Sequence, residues 1–176
     1  MAKKMTTDEA IEIMAKAYYD LLSALKPAIA KNPNVEIGLR EGMSKFLSNL
    51  YIRLRCENGK YDTDYYSEDA WNHKDDGTKL IFEHIVPKSK YIQEPCEEAC
   101  KKGNFSDGTK FSEEAILKIL KERWRIATIT EEEDELLTSK GYSSKMPDEW
   151  KINKDPFLRY KKAGIKLLDS EGKAVY

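Results

Sequence analysis

An acidic residue and a histidine stand side by side in the stretch KLIFEHIVPKSKY, which covers residues 79 to 91. The imidazole of His84 has an ordinary pKa near ~6.5, so it can accept a proton at neutral pH. A divalent metal stabilises charge on phosphoryl oxygens and on a leaving oxygen, and carboxylates such as that of Glu83 are suitable ligands. The pair therefore contains the residue types that proton transfer and metal-assisted phosphoryl chemistry require.

A second group of acids lies in the run WRIATITEEEDELL, where residues 131–134 follow a β-branched segment. Residues 80–139 read in the order strand, long excursion, strand, helix, and Thr130 opens the helix with a capping-box pattern. A helix that begins directly after a paired strand brings its first turn back over the strand pair. The sequence therefore predicts that the acidic run lies above the strand that carries the histidine.

The geometry of a strand limits how the acid and the histidine can act together. Successive side chains point to opposite faces, so Glu83 and His84 share one surface only where the strand bends or ends. Pro87 has no backbone N–H donor and stops a strand predicted over residues 80–86. We therefore expect the pair to lie at a strand end.

Purely structural roles also explain several of these residues. A lone histidine in a strand is more often packed and hydrogen-bonded than catalytic. Glu133 is explained as the capping partner of Thr130, and its acidic neighbours offset the positive helix N-terminus by ~0.3–1 kcal/mol per charge. His73 reads as a surface-loop residue, and the aromatic side chains of residues 61–71 read as loop anchors rather than as platforms for stacked bases.

Two amphipathic helices are predicted in the first third of the chain. A capping box at Thr6 and apolar residues three and four positions apart predict a helix to about Lys31, which Pro27 can kink. After the breaker AsnProAsn, residues 43–54 repeat this spacing and predict a second helix. The two helices are expected to pack as a hairpin.

The rest of the chain alternates between loops and short elements. Residues 60–77 show no sustained period and predict a loop, and residues 88–102 predict a helix interrupted at Pro95. The further predicted elements are a turn at 106–108, a helix capped by Ser112, a strand over 124–129, a helix ending near Gly141, a short helix after Asp155-Pro156, and a hairpin over 165–172.

The composition limits the class of protein. The 176 residues are 40% hydrophobic, which fits a folded globular protein, and 30 basic against 31 acidic residues mean that any polyanion site must be local. No run approaches the ~18 to 20 apolar residues that span a bilayer, and the start lacks an apolar signal segment, so we expect a cytoplasmic protein without membrane contact. Cys96 and Cys100 are expected to be buried thiols rather than a metal clamp.

The motifs EHIVP and WRIATITEEEDELL together resemble the HNH, or ββα-metal, endonucleases, and a branch of small bacterial proteins of that kind. These proteins carry an EH-V/I-V/I-P motif, a T-x-E-E-H/D-x-x-L motif and an ending similar to SKMPDEW…DPFLRYKKAGI, which lies here between residues 144 and 165. The resemblance covers roughly residues 78–168. It implies an α+β, mainly helical fold with a ββα-metal core and an N-terminal helical hairpin.

The resemblance also implies roles for individual residues. His84 would be the general base that activates water, and Glu83 would be a ligand of a divalent metal that holds the scissile phosphate. Asp134 stands where the pattern usually has a histidine and would be a second ligand. Because carboxylate oxygens suit hard cations, this departure favours Mg²⁺ or Mn²⁺ over zinc, and it is equally consistent with a site that has lost its activity.

A nuclease also needs positive charge near the substrate phosphates, and basic residues flank the two strands and the family-like ending. The residues expected to contact nucleic acid are Lys88, Lys90, Arg125, Lys145 and Arg159.

Three classes of function follow from these observations. The leading prediction is a metal-dependent nuclease that hydrolyses phosphodiester bonds, with DNA as the expected substrate. The alternative is a catalytically inactive HNH-like binding or regulatory module, for example a defence-system or phage-encoded partner. A structural helical assembly factor is the third class, and a homodimer through the N-terminal helices stays open. The predicted organisation is a helical extension over residues 1–58 and an HNH-like domain over 59–176, forming one compact unit.

Overall fold

The computed structural model describes residues 5–32, 34–35, 38, 42–56, 58–73, 76–151 and 154–176. The described elements, in chain order, are α1 (Thr7–Lys31), α2 (Phe46–Arg55), β1 (Tyr65–Ser67), α3 (Glu68–His73), β2 (Leu80–His84), a π-helical turn (Ser89–Gln93), α4 (Glu94–Lys102), α5 (Glu113–Arg123), β3 (Ile126–Thr130), α6 (Glu131–Ser139), α7 (Leu158–Ala163) and β4 (Leu167–Asp169). The protein is therefore α+β and mainly helical, as the sequence predicts. None of the helices described here is both long and apolar enough to cross a membrane.

The chain divides into two compact units that are each discontinuous in sequence. Unit 1 consists of Met1–Glu57 and Tyr91–Glu122, and unit 2 consists of Asn58–Lys90 and Arg123–Tyr176. The predicted boundary near residue 58 coincides with one limit of unit 2. However, residues 91–122 group with the N-terminal helices rather than with the predicted HNH-like domain.

Unit 1 is built on α1, whose predicted capping box is confirmed. Thr6 accepts from the backbone N–H of Glu9 at 3.2 Å, and the Glu9 carboxylate accepts from the backbone N–H of Thr6 at 2.7 Å. The side chain of Arg55, at the end of α2, donates to the Thr7 hydroxyl at the start of α1, so the two helices run antiparallel. Helix α1 buries Ala10, Ile11, Met14, Ala15, Tyr18 and Leu22, and a homodimer through the N-terminal helices stays a prediction.

The segment around Pro95 differs from its prediction. Pro95 lies in the first turn of α4 rather than interrupting a helix, because a missing N–H costs nothing at a helix N-terminus. The same helix buries Cys96 and Cys100, which confirms them as buried thiols. The Cys100 thiol donates to the carbonyl of Leu22 in α1.

Unit 2 contains a four-stranded mixed sheet in the order β2-β3-β1-β4. Strands β2 and β3 are antiparallel, with His84 opposite Ile126 and Leu80 opposite Thr130. Strand β1 lies parallel to β3 and antiparallel to β4. The long excursion between β2 and β3 is therefore closed by a direct strand pairing, as the sequence predicts.

The prediction of a loop over residues 60–77 is wrong, because β1 and α3 both lie there. Strand β1 has only three residues, which is too short to show a period-two pattern. It is stabilised by its two neighbouring strands and by a buried hydrogen bond of 2.9 Å between the hydroxyls of Thr63 and Thr128. Tertiary pairing therefore decides this structure rather than local sequence.

The core of unit 2 lies between the sheet and helices α6 and α7. Its buried members are Ile85, Ala127, Ile129, Leu137, Tyr160, Ala163, Ile165 and Leu167. The chain then turns back after β4, where Asp169 donates from its backbone N–H to the carbonyl of Lys173. This turn confirms the predicted C-terminal hairpin.

Candidate functional site

The paired strands β2 and β3 and the helix α6 form a continuous strand–strand–helix arrangement in unit 2. Helix α6 begins at the residue after β3 because Thr130 caps it. The Thr130 hydroxyl accepts from the backbone N–H of Glu133, and the Glu133 carboxylate accepts from the backbone N–H of Thr130 at 2.9 Å. The capping role predicted for Glu133 is thus confirmed.

Glu83 and His84 open onto one small cleft, which we call the His84 cleft. It has a volume of about 170 Å³ and is lined by Glu83, His84, Pro87, Lys88, Ser89, Ser143 and Ser144. Neighbouring residues of a strand normally face opposite sides, but β2 ends at His84, so the backbone is no longer constrained to the pleat there. The sequence prediction that the pair lies at a strand end is confirmed.

Arg159, from α7, holds this strand end in place. Its side chain is 0% exposed, and its guanidinium forms an ion pair with the Glu83 carboxylate. The guanidinium also donates to three backbone carbonyls. These belong to His84, to Ile85 at 2.7 Å and to Tyr142 at 2.6 Å. One buried side chain thus ties the end of β2 to the loop that follows α6.

The Glu83 carboxyl lies in an environment that disfavours its charge. Only 18% of the side chain is exposed, and burial raises its pKa above the ordinary value. The ion pair with Arg159 opposes this pKa shift, whereas the nearby negative charge of Asp134 adds to it. The carboxyl therefore depends on the guanidinium as its partner in the ionised state.

The imidazole of His84 is half-buried between aromatic rings. It makes edge-on contacts with Trp124, at 5.0 Å between ring centroids, and with Phe82, at 5.6 Å. Burial lowers its pKa well below the ordinary value, and the positive charges of Lys88 and Arg159 lower the pKa further. Burial and the neighbouring positive charges therefore favour the neutral imidazole, which is the form that can accept a proton.

Lys88 supplies a positive charge to the same cleft. The side chain is half-buried, and burial lowers the pKa of its ammonium group below the ordinary value. The negative charge of Glu83 opposes this pKa shift. A cationic donor and a neutral imidazole therefore line one small space.

The two predicted metal ligands, Glu83 and Asp134, differ in their partners. Among the residues that the structure describes, no group of three or more His, Cys, Asp or Glu side chains could hold a metal ion. The Glu83 carboxylate accepts a hydrogen bond from the Arg159 guanidinium. Asp134 is half-buried in the first turn of α6, and its negative charge raises the pKa of Glu83. The assignment of Glu83 and Asp134 as ligands of Mg²⁺ or Mn²⁺ therefore stays a prediction, and the Glu83 carboxylate that it needs is held by Arg159.

The residues predicted to contact nucleic acid separate into distinct environments. Lys88 lines the His84 cleft. Lys90 and Lys145 are exposed, and each directly follows a serine that lines the cleft. Arg125 is half-buried, and its guanidinium donates to the carbonyl of Trp124 at 2.9 Å. The prediction for Arg159 is wrong, because a fully buried side chain committed to protein acceptors cannot reach a phosphate in solution.

Sequence reasoning missed the two hydroxyl residues that close the cleft. Ser143 and Ser144 are exposed and lie in the segment after α6, whose chain reversal is marked by Gly141 at φ 75°. The run Gly-Tyr-Ser-Ser shows no periodicity. Neither serine lies in a sequence motif that would distinguish it from an ordinary loop residue. The hydrogen bond from Arg159 to the carbonyl of Tyr142 links this segment to the end of β2.

We compared the chain with protein-family models, with curated proteins and with solved structures, and none of these comparisons finds a match. The resemblance of the EHIVP and TITEEEDELL motifs to the ββα-metal nucleases therefore stays a prediction.

Proposed function

We propose that this protein binds nucleic acid at the His84 cleft and cleaves a phosphodiester bond there, with His84 as the general base. The observation that carries the proposal is that the imidazole of His84 and the ammonium group of Lys88 line the same cleft. An imidazole in its neutral form accepts a proton from an attacking hydroxyl, and a positioned general base contributes about 10²–10⁴-fold to a rate. No step is assigned to a metal ion, because Glu83 is held by Arg159.

The other residues of the cleft have supporting roles in this proposal. Lys88 donates to a phosphate oxygen, and its charge stabilises the negative charge that develops in the transition state. The hydroxyls of Ser143 and Ser144, which also line the cleft, are further donors. The exposed Lys90 and Lys145 extend the positive charge along a bound backbone.

Arg159 is a positioning residue in this arrangement, since it acts through other residues. Its bonds to Glu83 and to the carbonyl of His84 hold the strand end, while its bond to Tyr142 holds the segment that carries the serines. The buried guanidinium also disfavours protonation of His84 through its charge.

The proposal is tested by incubating the purified protein with labelled DNA and RNA and comparing two histidine variants. We expect His84→Ala to lower the cleavage rate about 10²-fold or more while binding is retained. His73→Ala is the matched control, because His73 is exposed and bonded to Asp76 outside the cleft. Equal rates for wild type and His84→Ala would remove His84 as the base.

A second candidate function is a binding or regulatory module without catalysis. The observation that favours it is the ion pair between Glu83 and Arg159, which occupies the acid of the EHIVP motif. This candidate predicts that nucleic acid binds, that Lys88→Met weakens binding, and that no strand is cut under any condition. Binding measured by fluorescence anisotropy together with a cleavage gel separates the two candidates.

A further inference from the structure

The His84 cleft is lined by a side chain that can accept a proton and by one that can donate a proton. The imidazole of His84 and the half-buried side chain of Lys88, four residues later in the chain, both line it. The volume of the cleft is about 170 Å³, whereas a site for a single water molecule requires only ~10–15 Å³. It therefore has room for a phosphate group and its adjoining oxygens.

The identity of the nucleophile decides which nucleic acid such a cleft can cleave. Water is a weak nucleophile without an activating ion, and the carboxylate of Glu83 is engaged by Arg159. The 2′-hydroxyl of RNA is attached to the substrate beside the phosphorus, and effective molarities of oriented intramolecular nucleophiles reach ~10⁵–10⁸ M. A base and an acid placed on either side of a phosphate are sufficient for this reaction.

We propose that the substrate of the His84 cleft is RNA, and that the ribose 2′-hydroxyl is the nucleophile. This inference rests on the proposed function, and it replaces the DNA substrate and the metal expected from the sequence. Only RNA carries the 2′-hydroxyl, so the chemistry itself distinguishes RNA from DNA.

The proposed step is balanced without any additional reactant. His84 accepts the proton of the 2′-hydroxyl while the 2′-oxygen forms a bond to phosphorus. The bond between phosphorus and the 5′-oxygen breaks, and the Lys88 ammonium donates a proton to that leaving oxygen. The products are a strand with a 2′,3′-cyclic phosphate and a strand with a 5′-hydroxyl, and exchange with water then restores both side chains. The lowered pKa of Lys88 makes its ammonium a better proton donor at neutral pH.

The test uses three oligonucleotides of randomised sequence that differ at one position only. One carries a single ribonucleotide in DNA, the second is all DNA, and the third carries a 2′-O-methyl group at that position. All are incubated with the full chain in excess EDTA, and the products are identified by mass spectrometry. We expect cleavage of the first alone, at the ribonucleotide, with a 2′,3′-cyclic phosphate end.

Variants of the two proposed residues complete the test. His84→Ala and Lys88→Met should each lower the rate about 10²-fold or more. Lys166→Met, an exposed lysine paired with Glu68 outside the cleft, should cleave as wild type does. Melting curves on each variant establish that the fold is intact.

The outcomes separate this inference from the proposed function. Cleavage of the all-DNA strand, or cleavage that requires a divalent ion and leaves no cyclic phosphate, overturns the RNA inference and leaves a nuclease in place. Binding of nucleic acid with no cleavage of any strand, with and without added Mg²⁺ or Mn²⁺, overturns both. Loss of cleavage in Lys166→Met would also count against the assigned roles.

Discussion

At the scale of single residues, Arg159 is the most consequential side chain of unit 2. A guanidinium is stable in the interior only when its charge and its donors are satisfied, and here the Glu83 carboxylate and the carbonyls of His84, Ile85 and Tyr142 satisfy them. The same bonds define the walls of the His84 cleft. Structure and proposed chemistry therefore depend on one buried cation.

Removing this guanidinium should destabilise the protein strongly. Arg159→Met keeps apolar bulk but leaves Glu83 as a buried charge without its partner, and we expect a loss of about 3–5 kcal/mol in the free energy of unfolding. Urea denaturation followed by circular dichroism measures this change. Lys151→Met, an exposed site, is the control and should stay within about 0.5 kcal/mol of wild type.

A double variant shows whether the uncompensated carboxylate is the cause. Arg159→Met combined with Glu83→Gln removes both charges, so it should recover part of the stability lost in the single variant. A single variant that loses less than about 1 kcal/mol would contradict the clamp as a stabilising feature, since buried pairs broken on one side cost more than this.

At the scale of elements, the junction between β3 and α6 joins the sheet to its covering helix. Thr130 ends the strand and caps the helix, and Glu133 accepts from Ser67 of β1 as well as from Thr130. Glu133 is only 8% exposed, and burial raises its pKa while these hydrogen bonds oppose the shift. One capping box thereby links β1, β3 and α6.

Because this capping box is buried, it should contribute more than an exposed one. Thr130→Ala is expected to cost about 1–2 kcal/mol of stability, the upper part of the range for cap substitutions. Thr6→Ala removes the same motif from the exposed start of α1 and should cost about 0.5–1 kcal/mol. Thermal and urea unfolding of both variants, with the exposed Thr138→Ala as control, measure the difference. Equal costs for Thr6 and Thr130 would show that burial adds nothing.

At the scale of the whole molecule, two units are interleaved along the chain. Residues 91–122 of the excursion between β2 and β3 belong to unit 1. Ile92 is buried there, and the Cys100 thiol of α4 donates to the carbonyl of Leu22 in α1. A unit assembled from distant segments loses part of its core when the chain is cut between them. The predicted boundary at residue 58 is such a cut.

A fragment of residues 59–176 should therefore not behave as a stable domain. It lacks α1 and α2, so the buried apolar side chains of α4 and α5, among them Ile116 and Leu120, lose their partners from unit 1. We expect exposed hydrophobic surface, measured as increased ANS fluorescence, and aggregation in size-exclusion chromatography relative to the full chain. A folded, monomeric fragment would contradict this and would also count against an assembly role that depends on the N-terminal helices.

The sequence by itself determined those elements that a local signal marks. Capping boxes at Thr6 and Thr130 and the apolar spacing of α1 predicted the helices, since these signals depend on residues within one turn of each other. The position of Glu83 and His84 at a strand end also followed from local chemistry, because Pro87 stops the strand.

Only the tertiary structure decided which residues meet. Strand β1 forms because β3 and β4 pair with it, and Arg159 reaches Glu83 from a helix far along the chain. Basic residues at the surface and basic residues in the core look alike in a sequence, so Arg159 was predicted at a phosphate rather than at a buried carboxylate. Burial and long-range pairing depend on the whole fold, and no local pattern encodes them.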